Sequence, residues 1–219
     1  MTGPGEPRDQ GMTLVEVLVG IGLFGMLGTI LMAIAMSTSR VTDDTRELSN
    51  VNEESRMAVD RMTRELRQAG EVVAVHLPAT PSDSTAITFW TDFNGNGTKD
   101  LNASDPEVLT YRWQPDTGQL TLTANDQDGK ALSRPLLSAN VSAFSISLSS
   151  SQWQYDTDGN GTTWTELDAA GPPVGNRNGV PDDPELARID LVGVSMTVLD
   201  GAHAQTYTTQ VALRNRNLN

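Results

Sequence analysis

The chain has 219 residues, 37% of them hydrophobic, no cysteine, and a formal net charge of −13 at pH 7. This length allows one folded domain with additional segments, and without cysteine neither a disulfide framework nor a thiolate site is available. Residues 71–219 carry 18 acidic and 8 basic side chains. Because such a domain repels phosphates, we expect no nucleic-acid binding through it, although this does not exclude a role in DNA uptake.

Residues 12–36 form an apolar segment whose only charge is Glu16. As a helix it spans roughly 37 Å, which exceeds a hydrocarbon core of about 30 Å. It is also longer than the apolar core of a cleaved signal peptide, which has about 7–15 residues. We therefore predict a transmembrane helix, and hydropathy alone favours a simple signal anchor. A carboxylate within it is costly, so Glu16 is a candidate functional residue that needs a cationic partner.

Residues 1–11 form a short polar segment, rich in glycine and proline, that ends at Gly11. Cleavage between Gly11 and Met12 would create an α-amine four residues before Glu16. The amine of a neighbouring subunit could then neutralise Glu16 inside a packed bundle of helices.

Gly11, Met12 and Glu16, followed by the apolar helix, resemble the prepilin peptidase site of type IV pilins and type II secretion pseudopilins. The resemblance implies cleavage after Gly11, N-methylation of Met12, and a role for Glu16 in recruiting and registering subunits. The sequence departs from the family in having Met12 where phenylalanine is usual and in lacking a basic leader.

Residues 37–70 continue as an amphipathic helix, with Gly70 as the predicted C-cap. The apolar half contains Gly20, Gly22, Gly25 and Gly28, which favour either close helix approach or local melting during filament packing. Residues 56–70 resemble the end of the helix in PilW-like minor pilins and J-type minor pseudopilins.

The remainder, residues 71–219, alternates in polarity and predicts an antiparallel head domain on which the helix packs, which is an α+β fold. The resemblance implies that this is the extracytoplasmic head of a type IV pilin fold. The predicted strands are residues 71–77, 86–91, 108–114, 119–124, 141–148, 187–199 and 205–213. Short connections predict two hairpins, one through residues 115–118 and one through residues 200–203.

Three loops are rich in Asp, Asn and Gly. Such residues are common in turns, but the spacing also resembles the oxygen-ligand pattern of calcium loops. The first loop offers Asp92, Asn94, Asn96 and Asp100, with Asp105 or Glu107 as a later ligand. The second offers Asp156, Asp158 and Asn160, with Glu166 or Asp168. The third runs from Asn176 through Asn178 to Asp182. We expect calcium to stabilise these loops in place of disulfides.

No catalytic motif emerges, since His76 and His203 lie in separate strands and the sequence has no nucleophile elbow. We therefore predict a non-enzymatic minor pilin or pseudopilin in filament initiation or at the tip. Its expected partners are prepilin peptidase, the bacterial inner membrane and other pilin or pseudopilin subunits, and its mature form lies in an extracytoplasmic filament. The alternative is a signal-anchored extracytoplasmic adhesin or binding protein that holds calcium.

Overall fold

The structure is a computed structural model that describes residues 13–213 except 103, 201 and 202, without the side chains of residues 43–45, 47, 48, 200 and 203. The chain divides into two compact units, Met1–Ser49 and Asn50–Asn219. Gly11 and Met12, which form the predicted cleavage site, lie outside the described residues.

The first element is helix α1, Leu14–Gln68, two residues shorter at each end than the predicted helix. Gly70 is not the left-handed C-cap that the sequence predicts. It lacks a positive φ, and its N–H donates to the Trp90 carbonyl at 2.9 Å. The helix therefore ends because the backbone joins a sheet at Gly70.

A five-stranded antiparallel meander follows α1 in the order β1-β2-β3-β4-β5. Its strands are β1 Glu71–His76, β2 Thr85–Trp90, β3 Val108–Gln114, β4 Gln119–Asn125 and β5 Ala131–Pro135. The hairpin predicted between β3 and β4 is confirmed, with Gln114 opposite Gln119. Gly118 ends its turn with a φ of 62°, a conformation that glycine adopts at little cost.

A second, four-stranded antiparallel sheet has the order β7-β6-β8-β9. It comprises β6 Asn140–Ser150, β7 Thr162–Thr163, β8 Leu191–Asp200 and β9 His203–Ala212. Between β7 and β8 lie two short helices, α2 Trp164–Ala170 and α3 Asp183–Leu186. The predicted pairing of the last two strands is confirmed. However, β8 begins at Leu191 rather than residue 187, because Ala187 is the C-cap of α3 and the N–H groups of Arg188 and Ile189 still donate to carbonyls of α3.

Within the unit Asn50–Asn219, the last turns of α1 pack into the core shared with the strands. Ala58, Met62 and Leu66 are buried in that core. The helix also bonds to both sheets: the Tyr111 hydroxyl of β3 donates to Glu65, and the Tyr207 hydroxyl of β9 donates to Asn52 at 2.9 Å. The predicted α+β class is confirmed, with two sheets.

Candidate functional site

The N-terminus of α1 is closed by a reciprocal cap between Thr13 and Glu16. The Thr13 N–H and hydroxyl donate to Glu16 Oε2 at 3.1 and 3.2 Å, while the Glu16 N–H donates to Thr13 Oγ1 at 3.3 Å. This is the capping-box arrangement, in which a carboxylate three residues after the cap satisfies free N–H groups. Glu16 thus has a local partner at the helix end and retains lone pairs for a further donor.

One helical segment of the described chain is long and apolar enough to cross a membrane: Leu14–Thr42, with a mean hydropathy of 2.4. Its side chains are exposed; Leu14 and Phe24, for example, are 78% and 77% accessible. A Cβ added at Gly20, Gly22, Gly25 or Gly28 would meet nothing within 4 Å. No contact within the described chain therefore requires these glycines, and their small surface is available to another helix or to lipid.

Loop A, residues 92–100, connects β2 to β3 and begins at Asp92. Both carboxylate oxygens of Asp92 accept backbone N–H groups, from Gly95 at 2.7 Å, Asn96 at 3.1 Å and Gly97 at 3.0 Å. Gly95 and Gly97 have φ values of 74° and 71°, so glycine allows the tight wrap around the carboxylate.

The other predicted ligands of loop A also come together. The side-chain amides of Asn94 and Asn96 both donate to Asp100 Oδ2, at 2.7 and 3.1 Å. Asp100 thus holds both side-chain amides of the loop, while Asp92 holds its backbone. Oxygen donors of this kind are the ligands that calcium prefers.

Glu107, one of the two candidates for the later ligand, joins the two ends of loop A through hydrogen bonds. It is fully buried. Its Oε1 accepts the Phe93 and Asn94 N–H groups at 3.0 and 3.3 Å, and its Oε2 accepts the Asp100 N–H at 3.3 Å. Asp105 is exposed. Sequence spacing left the choice open, because the number of intervening loop residues does not determine which side chain turns inward.

Loop B, residues 156–161, precedes β7. Asp156 accepts N–H groups from Gly159 at 2.7 Å and Gly161 at 3.0 Å, and Asp158 accepts the Asn160 amide at 2.6 Å. Carboxylate oxygens of Asp156, Asp158 and Glu166 lie within 4.8 Å of one another. Among the described residues, this is the one group of three carboxylates that is close enough to hold a metal ion together. Glu166, rather than Asp168, is therefore the later residue that joins this loop.

Glu166 is held in its charged form. The Thr157 hydroxyl, the Thr163 N–H and the Thr157 N–H donate to it and lower its pKa from the ordinary 4.5 to about 2. Because the folded-state pKa is depressed, the stabilisation from these bonds is present above the ordinary carboxyl pKa and is lost as the pH falls toward 2. An ionised carboxylate is the form that a cation requires.

Loop C, residues 176–182, repeats the hydrogen bonds of loop A at matching positions. The Asn176 and Asn178 amides donate to Asp182 as the Asn94 and Asn96 amides do to Asp100. The N–H groups at the two ends of the loop, on Asn176 and Asp182, donate to buried Glu185. The two loops share the pattern Asn-x-Asn-Gly-x-x-Asp over a buried glutamate.

Loop C takes its first carboxylate from the preceding helix, α2. Asp168 of α2 accepts the Asn178 and Gly179 N–H groups, each at 3.0 Å, as Asp92 does for Asn96 and Gly97. Asp168 therefore belongs to loop C and not to loop B. Sequence reasoning missed this because α2 was not predicted, although the recurrence of Asn-x-Asn-Gly-x-x-Asp was a usable signal.

The pKa values of Glu185 and Asp182 are shifted in opposite directions. Burial raises the pKa of Glu185, and the neighbouring Asp182 raises it further. The pKa of Asp182 is lowered, first by its contact with Glu185 and then by the Asn176 amide. Loop C is thus anchored on a carboxyl group whose charged form is disfavoured by its surroundings.

His76 pairs with Asp83 rather than with a catalytic partner. Its Nε2 lies 3.1 Å from both carboxylate oxygens of Asp83, and the bond from His76 is the main cause that lowers the pKa of Asp83. The pair joins the end of β1 to the loop before β2, so its role is structural. The side chain of His203 lies outside the described residues.

A cleft of about 780 Å³ opens between the end of α1 and the first sheet. Arg61 and Glu65 of α1 line one side, and Leu122 and Leu132 the other. Burial raises the pKa of Tyr111, and its bond to Glu65 adds to the rise. The phenol therefore stays protonated and donates its hydrogen to Glu65.

Comparison with known proteins found one family model and a solved structure that resemble this chain. The model of the prokaryotic N-terminal methylation motif matches residues 7–36. No curated protein matches the chain. Among solved structures, a type IV-like pilin from Thermus thermophilus aligns over 75% of this chain and 97% of its own, with 14% identity and a TM-score of 0.42.

Proposed function

We propose that this chain, a type IV pilin-like protein by its N-terminal methylation motif, is a minor pilin or pseudopilin that acts in filament initiation or at the filament tip. The family is structural rather than enzymatic. The motif at residues 7–36 carries the proposal, because it coincides with the start of an apolar helix whose side chains are exposed. The resemblance of residues 56–70 to minor subunits favours a minor role.

In the proposed mechanism the precursor enters the inner membrane through the apolar part of α1. Prepilin peptidase cuts after Gly11, and Met12 becomes the methylated N-terminus. The helix then leaves lipid for a bundle of subunit helices, where the free surface at its four glycines allows close approach. The free lone pairs of Glu16 accept the amine of a neighbouring subunit, which lowers the cost of a carboxylate in an apolar bundle.

The intact mass and N-terminal residue of the full chain, co-expressed with a prepilin peptidase, test this proposal. We expect a mature chain that begins at methylated Met12. Gly11→Ala should abolish cleavage and leave the full precursor, while Gly5→Ala in the same leader should be processed normally. An uncut wild-type chain, or a cut beyond residue 36, would contradict the prepilin assignment and favour the signal-anchored adhesin.

We further propose that the head binds calcium at loop B, and that loop A binds a second calcium ion through carboxylate and amide oxygens. Three carboxylates converge at loop B, and hydrogen bonds from Thr157 and Thr163 lower the pKa of Glu166 to about 2. Loop A adds Asp92, Asp100 and the two asparagine amides, whose oxygens can turn toward an ion. Calcium takes six to eight oxygen ligands on flexible loops and would offset the repulsion among these carboxylates.

Calcium should raise the melting temperature of the full chain in detergent micelles. At a free concentration one hundred times the Kd, one site contributes about 2.7 kcal/mol, which corresponds to about 5–10 °C for a domain of this size. Chelation should reverse the rise. Magnesium should produce a smaller one, because it demands rigid octahedral geometry. Differential scanning calorimetry measures both effects.

A matched pair of variants separates calcium binding from turn stability. Asp156→Asn with Asp158→Asn removes two carboxylates from loop B and should remove most of the calcium-dependent rise. Asp126→Asn with Asp128→Asn changes the turn between β4 and β5, where Asp126 also accepts loop N–H groups, and should leave the rise intact. Equal loss in both double variants, or no rise in the wild type, would rule out a loop B site.

A further inference from the structure

The cleft of about 780 Å³ beside α1 has a largely apolar floor. Leu122 lies on the sheet face that packs on α1, because it stands opposite the buried Tyr111. Leu132 lies opposite Ala124 on the same face, and Phe93 borders the floor. Leu132 and Phe93 remain 41% and 47% exposed. Ligand sites typically enclose about 300–1,000 Å³ and are lined mainly by apolar side chains, so this cleft has the size and lining of such a site.

One end of the cleft is basic, because Arg134 and Arg61 both line it. Arg134 lies opposite Leu122, which in turn lies opposite Tyr111. The Tyr111 hydroxyl donates to Glu65, and Arg61 Nε lies 2.8 Å from the same carboxylate. Arg61 thus shares its charge with Glu65, whereas the side chain of Arg134 has no hydrogen bond or ion pair to any other described residue.

The other end of the cleft is acidic and carries Asp105 and Asp126. Because β3 and β4 pair antiparallel, residues just before β3 and just after β4 meet at this end. The Asp126 N–H donates to the Lys130 carbonyl at 2.9 Å, which places Asp126 beside a position four residues before Arg134. The Lys130 side chain is not among the groups that line the cleft. At about 3.3 Å per residue, the two ends are about 13 Å apart.

We propose that this cleft binds an extended peptide of about four residues, with its free carboxylate at the basic end and its free amine at the acidic end. Four extended residues span about 13–14 Å, which matches the separation of the two ends. The Arg134 guanidinium donates charge-assisted hydrogen bonds to the carboxylate, and Asp105 and Asp126 accept them from the amine. A ligand with one charge leaves the opposite end of the cleft without a counter-charge.

The remaining lining suits the middle of such a peptide. The Ser104 hydroxyl and the Gln127 amide line the cleft. Neither has a hydrogen bond to another residue in the part of the chain that the structure describes, so both are available to a peptide backbone. Leu122 and Leu132 favour aliphatic side chains, because burial against them removes apolar surface from water. The proposed ligand is therefore a short aliphatic peptide with both termini free.

Isothermal titration calorimetry of the full chain in phosphatidylcholine nanodiscs tests this proposal, since nanodiscs leave no free detergent to occupy the cleft. The probe is the free tetrapeptide alanine-leucine-leucine-alanine, compared with the C-amidated and the N-acetylated forms of the same peptide. Each modified form lacks one terminal charge and therefore loses the charge-assisted hydrogen bonds at one end. We expect each to bind about tenfold more weakly than the free peptide.

Variants assign each terminal charge to one end of the cleft. Arg134→Gln should weaken binding of the free peptide about tenfold and leave binding of the amidated peptide unchanged. Asp105→Asn with Asp126→Asn should weaken binding of the free peptide by a similar factor and leave binding of the acetylated peptide unchanged. Arg67→Gln is the matched control, because it removes an exposed arginine of α1 that does not line the cleft. It should leave all three affinities unchanged.

Three results would overturn the proposal. The first is a wild-type chain that does not bind the free peptide. The second is equal affinity for the three peptides, which would indicate a purely apolar ligand. The third is an equal effect of Arg134→Gln and Arg67→Gln. The cleft lies entirely within the unit Asn50–Asn219, so none of these results depends on whether Gly11 is processed.

Discussion

Glu107→Ala should lower the free energy of unfolding by about 3–5 kcal/mol. The carboxylate is fully buried, and besides three backbone N–H groups of loop A it accepts the Trp90 indole N–H at 3.3 Å. Alanine leaves these four donors without an acceptor, and each buried donor that loses its partner costs about 1–3 kcal/mol. Water can hydrogen-bond to those N–H groups of the loop that it reaches, so the total loss is smaller than the sum over the four donors.

Chemical denaturation followed by tryptophan fluorescence measures this change. Asp105→Ala is the matched control, because it removes the same charge from an exposed position two residues away and should alter stability by less than about 0.5 kcal/mol. Similar losses in the two variants would show that the head responds to net charge and not to the bonds that Glu107 accepts. Glu107→Ala should also weaken the calcium binding that we propose for loop A, because the Asn94 and Asp100 N–H groups lose their common acceptor.

The sequence was most informative where one residue pattern was sufficient to specify an element. The apolar run and the amphipathic continuation predicted α1 to within two residues at each end, and the turn residues 115–118 fixed the β3–β4 register. β5, β7, α2 and α3 were missed. β5 is exposed throughout, so it lacks the alternation that predicts a strand, and α3 has only four residues.

Contacts between a loop and a neighbouring element were the second limit. The residues of loop A were predicted as a set because they are consecutive, and the structure gathers them around Asp92 and Asp100. The placement of Asp168 under loop C depends on α2, and the inward position of Glu107 depends on where β3 begins. Neither follows from local spacing, because both are set by packing between elements.

Gly175→Ala should destabilise the head by about 3 kcal/mol. A Cβ at this position would lie 2.2 Å from the Leu167 carbonyl oxygen and 2.5 Å from the Asp168 Cα. Both are backbone atoms of α2, so the helix must move, and overpacking of this kind costs about 1–3 kcal/mol or more. Leu167 is fully buried, which leaves little room for the helix to shift.

The displacement should also reach loop C, since α2 carries Asp168. In Gly175→Ala the amide resonances of Asn178 and Gly179, which donate to Asp168, should shift in a nitrogen–proton correlation spectrum. Gly179→Ala is the control: its φ is 74° and an added Cβ meets nothing within 4 Å, so backbone strain alone should cost about 1–2 kcal/mol. If Gly175→Ala proved no more destabilising than Gly179→Ala, the conformation of loop C would not depend on the position of α2. If it costs more and moves both amides, α2 is the element that holds loop C in place.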